Sequence, residues 1–325
     1  MRHSLTRFAF LVVATIAGVL YPALRAEAES TVTDVCAAMD RVNRSVTELM
    51  AAKRIDAPPE PRSWEKGLDL MHVYQLQVAC LDRLFELEGQ DGIGRIPLMA
   101  SRTTRYTASD IVTVCEVMRD EIRRLAWNMG VTELPDEKPK WRDKTIDDAF
   151  GEALQLHVNL NALTGADQIS PDAIYPHIAR AVSDAKAILR HIDPAHRYRI
   201  DAKQTNDSVT SAELLEQCLA TRKTINIARE DLGLEPTPIP ENRSGVKRTE
   251  DAFVQSQIIL AELNLIKLRT GSADSTPLAV PTGGKSATDV YNQAVLLEYL
   301  IGQIPQMRRM PRRAESPTLR PKLGR

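Results

Sequence analysis

The side chains of this sequence best placed for chemistry are its cysteines, because three of the four occupy matching positions. Cys36 lies in the segment TVTDVCAAMDRV, Cys115 in TASDIVTVCEVM and Cys218 in TSAELLEQCLAT. Each segment opens with a threonine shortly before an acidic side chain, which is typical of a helix N-cap. The sequence therefore predicts three related helices, each with a cysteine near its start.

Two disulfides are predicted from the even cysteine count and from the symmetry of a helical hairpin. Pro58 lies midway between Cys36 and Cys80, so these two residues face each other if the flanking helices form an antiparallel pair. Cys115 and Cys218 have no such partner, and they pair only if two halves of the chain pack together. An exported chain with an even number of cysteines favours such bridges.

Two other interpretations of the cysteines stay open. Cysteine behaves as a small apolar residue, so all four thiols fit the buried faces of helices. Met39 follows Cys36 and Met118 follows Cys115 at three-residue spacing, and a thiol with a thioether suits Cu(I). The same spacing also arises from any apolar helix face.

No catalytic motif accompanies these thiols. The chain contains no C-x-x-C, no G-x-S-x-G and no H-E-x-x-H sequence. His72 and His157 stand beside apolar residues in predicted helices, where an interior histidine is expected. The sequence predicts no catalytic residue, no metal ligand and no cofactor, although paired carboxylates brought together by folding leave no sequence signature.

Basic residues gather in three long connections between predicted helices, at about 89–106, 193–209 and 271–285. Positive side chains near helix N-termini can hold an anion. The alternative is that these charges are simply solvated on loops. The anion-binding hypothesis names Arg102, Arg105, Arg197, Arg199 and Lys285.

The first 28 residues have the composition of a secretory signal peptide. Basic residues precede the apolar run 8–20, and the triplet Ala26-Glu27-Ala28 resembles a cleavage site. The run is short for a membrane span. We therefore expect a mature chain that begins near Glu29 and is periplasmic or secreted, and is not an integral membrane protein after cleavage.

The other end of the chain has the opposite charge to the body. The segment 305–325 carries seven Arg or Lys residues and one Glu, whereas the total charge of the chain is −1. Such a tail is typical of a disordered arm, which could contact an anionic surface or another envelope protein. Aromatic residues are 5% of the chain, which disfavours base stacking and therefore nucleic-acid partners.

Apolar residues recur at helical spacing between Gly and Pro clusters, and no sustained alternating pattern occurs. The segments that begin at Asp143 and Val246 resemble each other at an offset that also separates Cys115 from Cys218. We therefore predict an all-α fold of repeated antiparallel helical hairpins, either a solenoid-like stack or duplicated helical bundles. The predicted regions are a signal peptide (1–28), helical repeat region 1 (29–193), a linker (194–209), helical repeat region 2 (210–304) and a basic tail (305–325).

These observations favour an exported protein that acts by binding, either as a scaffold or as a ligand-binding accessory in the cell envelope. Repeated helices build extended surfaces, and no catalytic motif stands out. One alternative is a helical bundle that carries a metal or cofactor through Cys, Met or His. The other is a hydrolase with an unrecognised carboxylate site.

Overall fold

The computed structural model describes residues 30–59, 61, 65–90, 105–137, 139, 141–165, 169–194, 202, 204–240, 248–272 and 283–305. This part of the chain forms eight α-helices and contains no strand, which confirms the predicted all-α class. The helices are α1 (Val32–Lys53), α2 (Leu70–Gln90), α3 (Ala108–Asn128), α4 (Ile146–Leu163), α5 (Pro171–Ile192), α6 (Ser211–Asp231), α7 (Thr249–Thr270) and α8 (Ala287–Ile301).

Five of these helices begin at the same capping device. The side chain of the N-cap residue accepts a hydrogen bond from the backbone N–H three residues later, and the acidic side chain there binds the N–H of the cap. This reciprocal arrangement satisfies donors that a helix start leaves free. The helix starts predicted for the three cysteine segments are confirmed at Thr31, Thr107 and Thr210, and the same device begins the helices that follow Thr145 and Ser286.

The helices pack as two groups of four, so the repeat takes the form of duplicated bundles. In the first bundle, α1 and α2 each pack against α3 and α4. In the second, α5 and α6 each pack against α7 and α8. Consecutive helices therefore stand mainly at opposite corners of a bundle, and the buried apolar residues of the two bundles form one continuous cluster.

Contacts along the first bundle show that its helices run in one direction. Cys36, near the start of α1, lies close to Thr145, the N-cap residue of α4. Two turns later in α1, the side chain of Asn43 binds the backbone carbonyl of Glu152 in α4. On the opposite side, the side chain of Gln77 in α2 binds the carbonyl of Ile111, close to the start of α3. The later residue Arg124 of α3 approaches Glu88 near the end of α2, so this pair is parallel as well.

Parallel neighbours require connections that return along the bundle. The connections 54–69, 91–107, 129–145, 193–210, 232–248 and 271–286 are each long enough, because a helix of 22 residues measures about 33 Å and 16 extended residues reach about 53 Å. The connection 164–170 is short, and it reverses the chain between α4 and α5. The two bundles consequently point in opposite directions.

Helix α2 of the first bundle packs against α7 of the second. Because these helices are covered both by their own bundle and by the other, most of their residues are buried. This double burial explains why the Leu-rich sequences of α2 and α7 lack a polar face. Helix packing divides the chain at 164–170 and places α5 with α6–α8, whereas the sequence grouping assigned α5 to the first region.

The predicted disulfides are absent, and this is a correction. Cys36, Cys80, Cys115 and Cys218 all lie in described helices, and each is a free, buried thiol. The pairing of Cys36 with Cys80 assumed that α1 and α2 form an antiparallel hairpin, whereas they are parallel and diagonal. The pairing of Cys115 with Cys218 fails because α3 and α6 belong to different bundles and do not pack together.

The predicted signal peptide and most of the basic tail lie outside the described residues. Among the helices that the structure describes, none has the length and apolar character required to cross a bilayer.

Candidate functional site

One surface stands out on α3, where a tryptophan projects from the helix. Trp127 is 79% exposed, the largest exposure of any bulky apolar side chain in the described chain. A recess of about 430 Å³ on one side of it is lined by Arg123, Arg124 and Asn128. A second recess, of about 320 Å³, is lined by Arg123 and Trp127 together with Arg119, Ala126, Val131, Thr132, Leu134 and Asp136. We call these residues the Trp127 surface.

Ion pairs hold the framework of this surface in place. Arg119 is almost fully buried, and it donates to Asp136 at 2.6 Å, which ties the connection after α3 to the helix. The same hydrogen bond and charge lower the pKa of Asp136. Arg41 of α1 binds Glu116 of α3 at 2.7 Å and supports the helix from behind.

The two arginines beside the tryptophan present their guanidinium groups to solvent. Arg123 pairs with Asp120 at 2.6 Å, and Arg124 pairs with Glu121, one turn earlier in the same helix. The exposed pair of Arg123 with Asp120 is weak, so a carboxylate of a partner can replace Asp120 at small cost. Glu121 is buried, so its pair with Arg124 fixes the position of that guanidinium group instead. Tryptophan and arginine are the side chains most enriched at energetic centres of protein interfaces.

A third recess, the α4 cleft, lies between the connection 54–69 and helix α4. Its volume is about 630 Å³, which is within the range of small-molecule sites. A Cβ atom at position 151 would have no other atom within 4 Å, so the floor of the cleft at Gly151 is open. The lining consists of Pro58, Pro61, Glu65, Lys66, Lys144, Asp147, Asp148, Gly151, Glu152 and Gln155.

The carboxylates of the α4 cleft already have structural roles. Asp147 accepts hydrogen bonds from the N–H groups of Gly67 and Leu68, and Asp148 forms the capping box of α4. Hydrogen bonds from the backbone N–H and the hydroxyl of Thr145 lower the pKa of Asp148, which stays ionised at neutral pH. An ionised carboxylate binds cations, and it does not serve as a general acid.

Two residues of the predicted anion site, Arg105 and Lys285, lie in the described part of the chain, and they stand in different bundles. Arg102, Arg197 and Arg199 lie outside the described residues. Arg105 precedes α3 in the first bundle, whereas Lys285 precedes α8 in the second, and the two bundles point in opposite directions. The Nζ atom of Lys285 sits over the ring of Tyr175 at 4.7 Å.

The sulfur atoms of Cys115 and Met39, which could bind a soft metal ion, are already in contact with another side chain in the described part of the chain. Gln77 donates to the sulfur of Cys115 at 3.1 Å and lies 3.6 Å from the sulfur of Met39, so its amide occupies the space between them. The described residues contain no group of three or more His, Cys, Asp or Glu side chains placed to hold a metal ion.

Sequence reasoning did not single out Trp127. A usable signal exists, because the apolar stripe of α3 runs through Ile111, Cys115, Ile122 and Leu125, and Trp127 lies off that stripe. A tryptophan on the polar face of an amphipathic helix with arginines beside it has the composition of a binding surface. Comparison with known proteins adds no further guide, since no protein-family model, no curated protein and no solved structure matches this chain.

Proposed function

We propose that this protein is exported to the cell envelope and acts there by binding another protein through the Trp127 surface. The observation that carries the proposal is the exposure of Trp127 between two arginine-lined recesses on α3. The ion pairs of Arg41 with Glu116 and of Arg119 with Asp136 hold this helix and the connection after it in place. An apolar side chain of the partner would occupy a recess beside the indole ring, and a carboxylate of the partner would replace Asp120 on Arg123.

Export is supported by the basic and apolar composition of the first 28 residues. The basic segment from Pro305 onward would add attraction to an anionic envelope surface. The mass of the protein recovered from the envelope tests this part: a chain that begins near Glu29 supports export with cleavage, and a chain of all 325 residues contradicts it.

Site-specific photocrosslinking tests the binding surface. A photoreactive amino acid in place of Asn128 keeps Trp127 intact and lies in the recess beside it. We expect a discrete crosslinked product in intact cells, which is lost in Trp127→Ala. The matched control is Ile227→Ala, which removes an exposed apolar residue (58% exposed) of the second bundle and should leave the product unchanged.

Absence of any discrete product would overturn the proposal, and so would a product that survives Trp127→Ala. Circular dichroism of each variant shows whether its helices are intact, which separates loss of binding from loss of the fold.

A second candidate function is binding of a small cationic ligand in the α4 cleft, in keeping with a ligand-binding accessory. The charge of Glu65 in the cleft lining is balanced by Arg222, and the remaining lining places Asp147, Asp148 and Glu152 against two lysines, so its charge favours a cation. Isothermal titration with putrescine, as a simple organic dication, tests it. Glu152→Gln should weaken binding, whereas Glu48→Gln on the exposed face of α1 should not.

A further inference from the structure

Polar side chains of the two bundles meet in the interface between them, among buried apolar side chains that belong to one continuous cluster. Gln75 of α2 donates to Gln257 of α7 at 3.3 Å, and both side chains are buried. One turn away, His72 Nε2 lies 4.0 Å from the Glu262 carboxylate. The contacts run in opposite order along α2 and α7, so the two helices cross the interface antiparallel.

An ion pair crosses the same interface. Arg222 of α6 is fully buried and donates to Glu65, in the connection 54–69, at 2.8 Å. It also donates to Gln255 at 2.7 Å and to the carbonyl of Pro238 at 3.1 Å. Gln255 in turn donates to Glu65 at 2.9 Å, so a residue of the first bundle completes a network of the second.

A second histidine lies at the other end of the interface. The ring of His157 in α4 stacks on Phe253 of α7, with ring centroids 4.3 Å apart. His157 is 1% exposed, and Phe253 covers it from the opposite bundle. His72 and His157 would therefore both become exposed to solvent if the bundles moved apart.

Polar interfaces can be rehydrated at a smaller cost than apolar ones, since water replaces the hydrogen bonds that are broken. Among the described helices, eight pairs pack within the bundles, whereas α2 with α7 is the one pair that packs extensively between them. The helices of the two bundles are joined in the chain by the short connection 164–170. Separation at this interface would therefore leave the helix pairs within each bundle in place.

We infer that the two bundles are separable bodies, and that acidification opens the α2–α7 interface because His72 and His157 take up protons when they are exposed. This conformational step is independent of the Trp127 surface, which lies within the first bundle.

The surroundings of His72 disfavour its charged form. Its Nδ1 atom accepts a hydrogen bond from the backbone N–H of Asp69, and Arg222 and Arg229 of α6 face it together with Glu262. Burial first, and the two arginines second, lower the pKa of His72 to about 3 from 6.5. The closed interface therefore holds a neutral imidazole that would be protonated in water at mildly acid pH.

The pKa of His157 is lowered in the same way as that of His72. Burial lowers its pKa to about 3, with a smaller contribution from Arg83 of α2 and from His177 of α5. Glu262 opposes the two histidines, because burial raises its pKa and the closed state then binds a proton more tightly than the open state. Two histidines against one carboxyl leave a net uptake of protons on opening, so acid favours the open state.

Distances between spin labels test the opening directly. The four native thiols are buried, so labels attach to introduced cysteines. One label at Val117→Cys in α3 and one at Ile227→Cys in α6 report across the bundles. Labels at Val117→Cys and Glu48→Cys, both in the first bundle, form the control pair. We expect the inter-bundle distance to lengthen and broaden between neutral pH and about pH 4.5, while the control distance stays constant.

In His72→Gln/His157→Gln the inter-bundle distance should stay at its neutral-pH value under the same acid conditions. The single variants serve if the double variant does not fold, and His191→Gln, at an exposed position, should behave as the parent protein. An inter-bundle distance that does not change with pH would overturn the inference. It would also be overturned if both pairs changed together, or if the histidine variants opened like the parent.

Discussion

At the residue scale, burial controls the chemistry of the four thiols. Removal from water disfavours a thiolate, and it raises the pKa of Cys36, Cys115 and Cys218 to about 12. The pKa of Cys80 is raised well above its ordinary value for the same reason. Because the thiolate is the nucleophile, these cysteines are unreactive in the folded protein. They act as small core residues, one of the interpretations that the sequence left open.

This burial predicts a simple pattern of alkylation. In the native protein at neutral pH, iodoacetamide should modify none of the four cysteines within the time that modifies glutathione completely. After denaturation without a reductant, all four should react, since no disulfide protects them. Intact mass spectrometry gives the count directly. A denatured protein that accepts fewer than four groups until it is reduced would contradict the free-thiol structure.

At the element scale, capping boxes set where the helices begin. The Thr107 hydroxyl accepts the N–H of Asp110, and the Asp110 carboxylate accepts the N–H of Thr107. These contacts lie within four residues, so the sequence pattern alone was sufficient to predict them. The direction in which each helix packs is different, because connections of 16 to 18 residues permit both a hairpin and a return along the bundle.

Replacement of the cap should weaken the fold measurably. Thr107→Ala removes the hydroxyl that binds the Asp110 N–H, and we expect the free energy of unfolding to fall by about 1 kcal/mol. Thr113→Ala is the matched control, because Thr113 is exposed in the same helix and its hydroxyl binds only the carbonyl of Ser109. Urea denaturation should show a lower midpoint for Thr107→Ala alone. Equal midpoints for the two variants would contradict a stabilising role of the cap.

At the scale of the whole molecule, buried neutral histidines link stability to pH. His72, His157 and His177 each have a pKa lowered to about 3, mainly by burial. Unfolding returns each to its ordinary value of 6.5, so the unfolded chain binds more protons between these two values. Their contribution to stability is complete above pH 6.5 and is lost as the pH falls toward 3.

The free energy of unfolding should therefore fall by about 1.4 kcal/mol per pH unit for each buried histidine below its unfolded pKa. Urea titrations at several pH values give this slope. His157→Gln should make the slope shallower by the contribution of one histidine, whereas His191→Gln should leave it as in the parent. A slope that is the same in all three proteins would show that the buried histidines do not control acid stability.

The sequence by itself determined the local structure of this protein, namely the helices and their caps, because these depend on residues a few positions apart. It left open whether the cysteines are paired or are buried free thiols. Only the tertiary structure decided the parallel order of the bundles, the separation of the thiols and the partners of the buried charges. Glu65 and Arg222 are 157 residues apart, and no periodic pattern records that they meet. The position of Trp127 off the apolar stripe is visible in the sequence. The recess that it forms with Val131 and Leu134, however, exists only because the connection after α3 folds back against the helix.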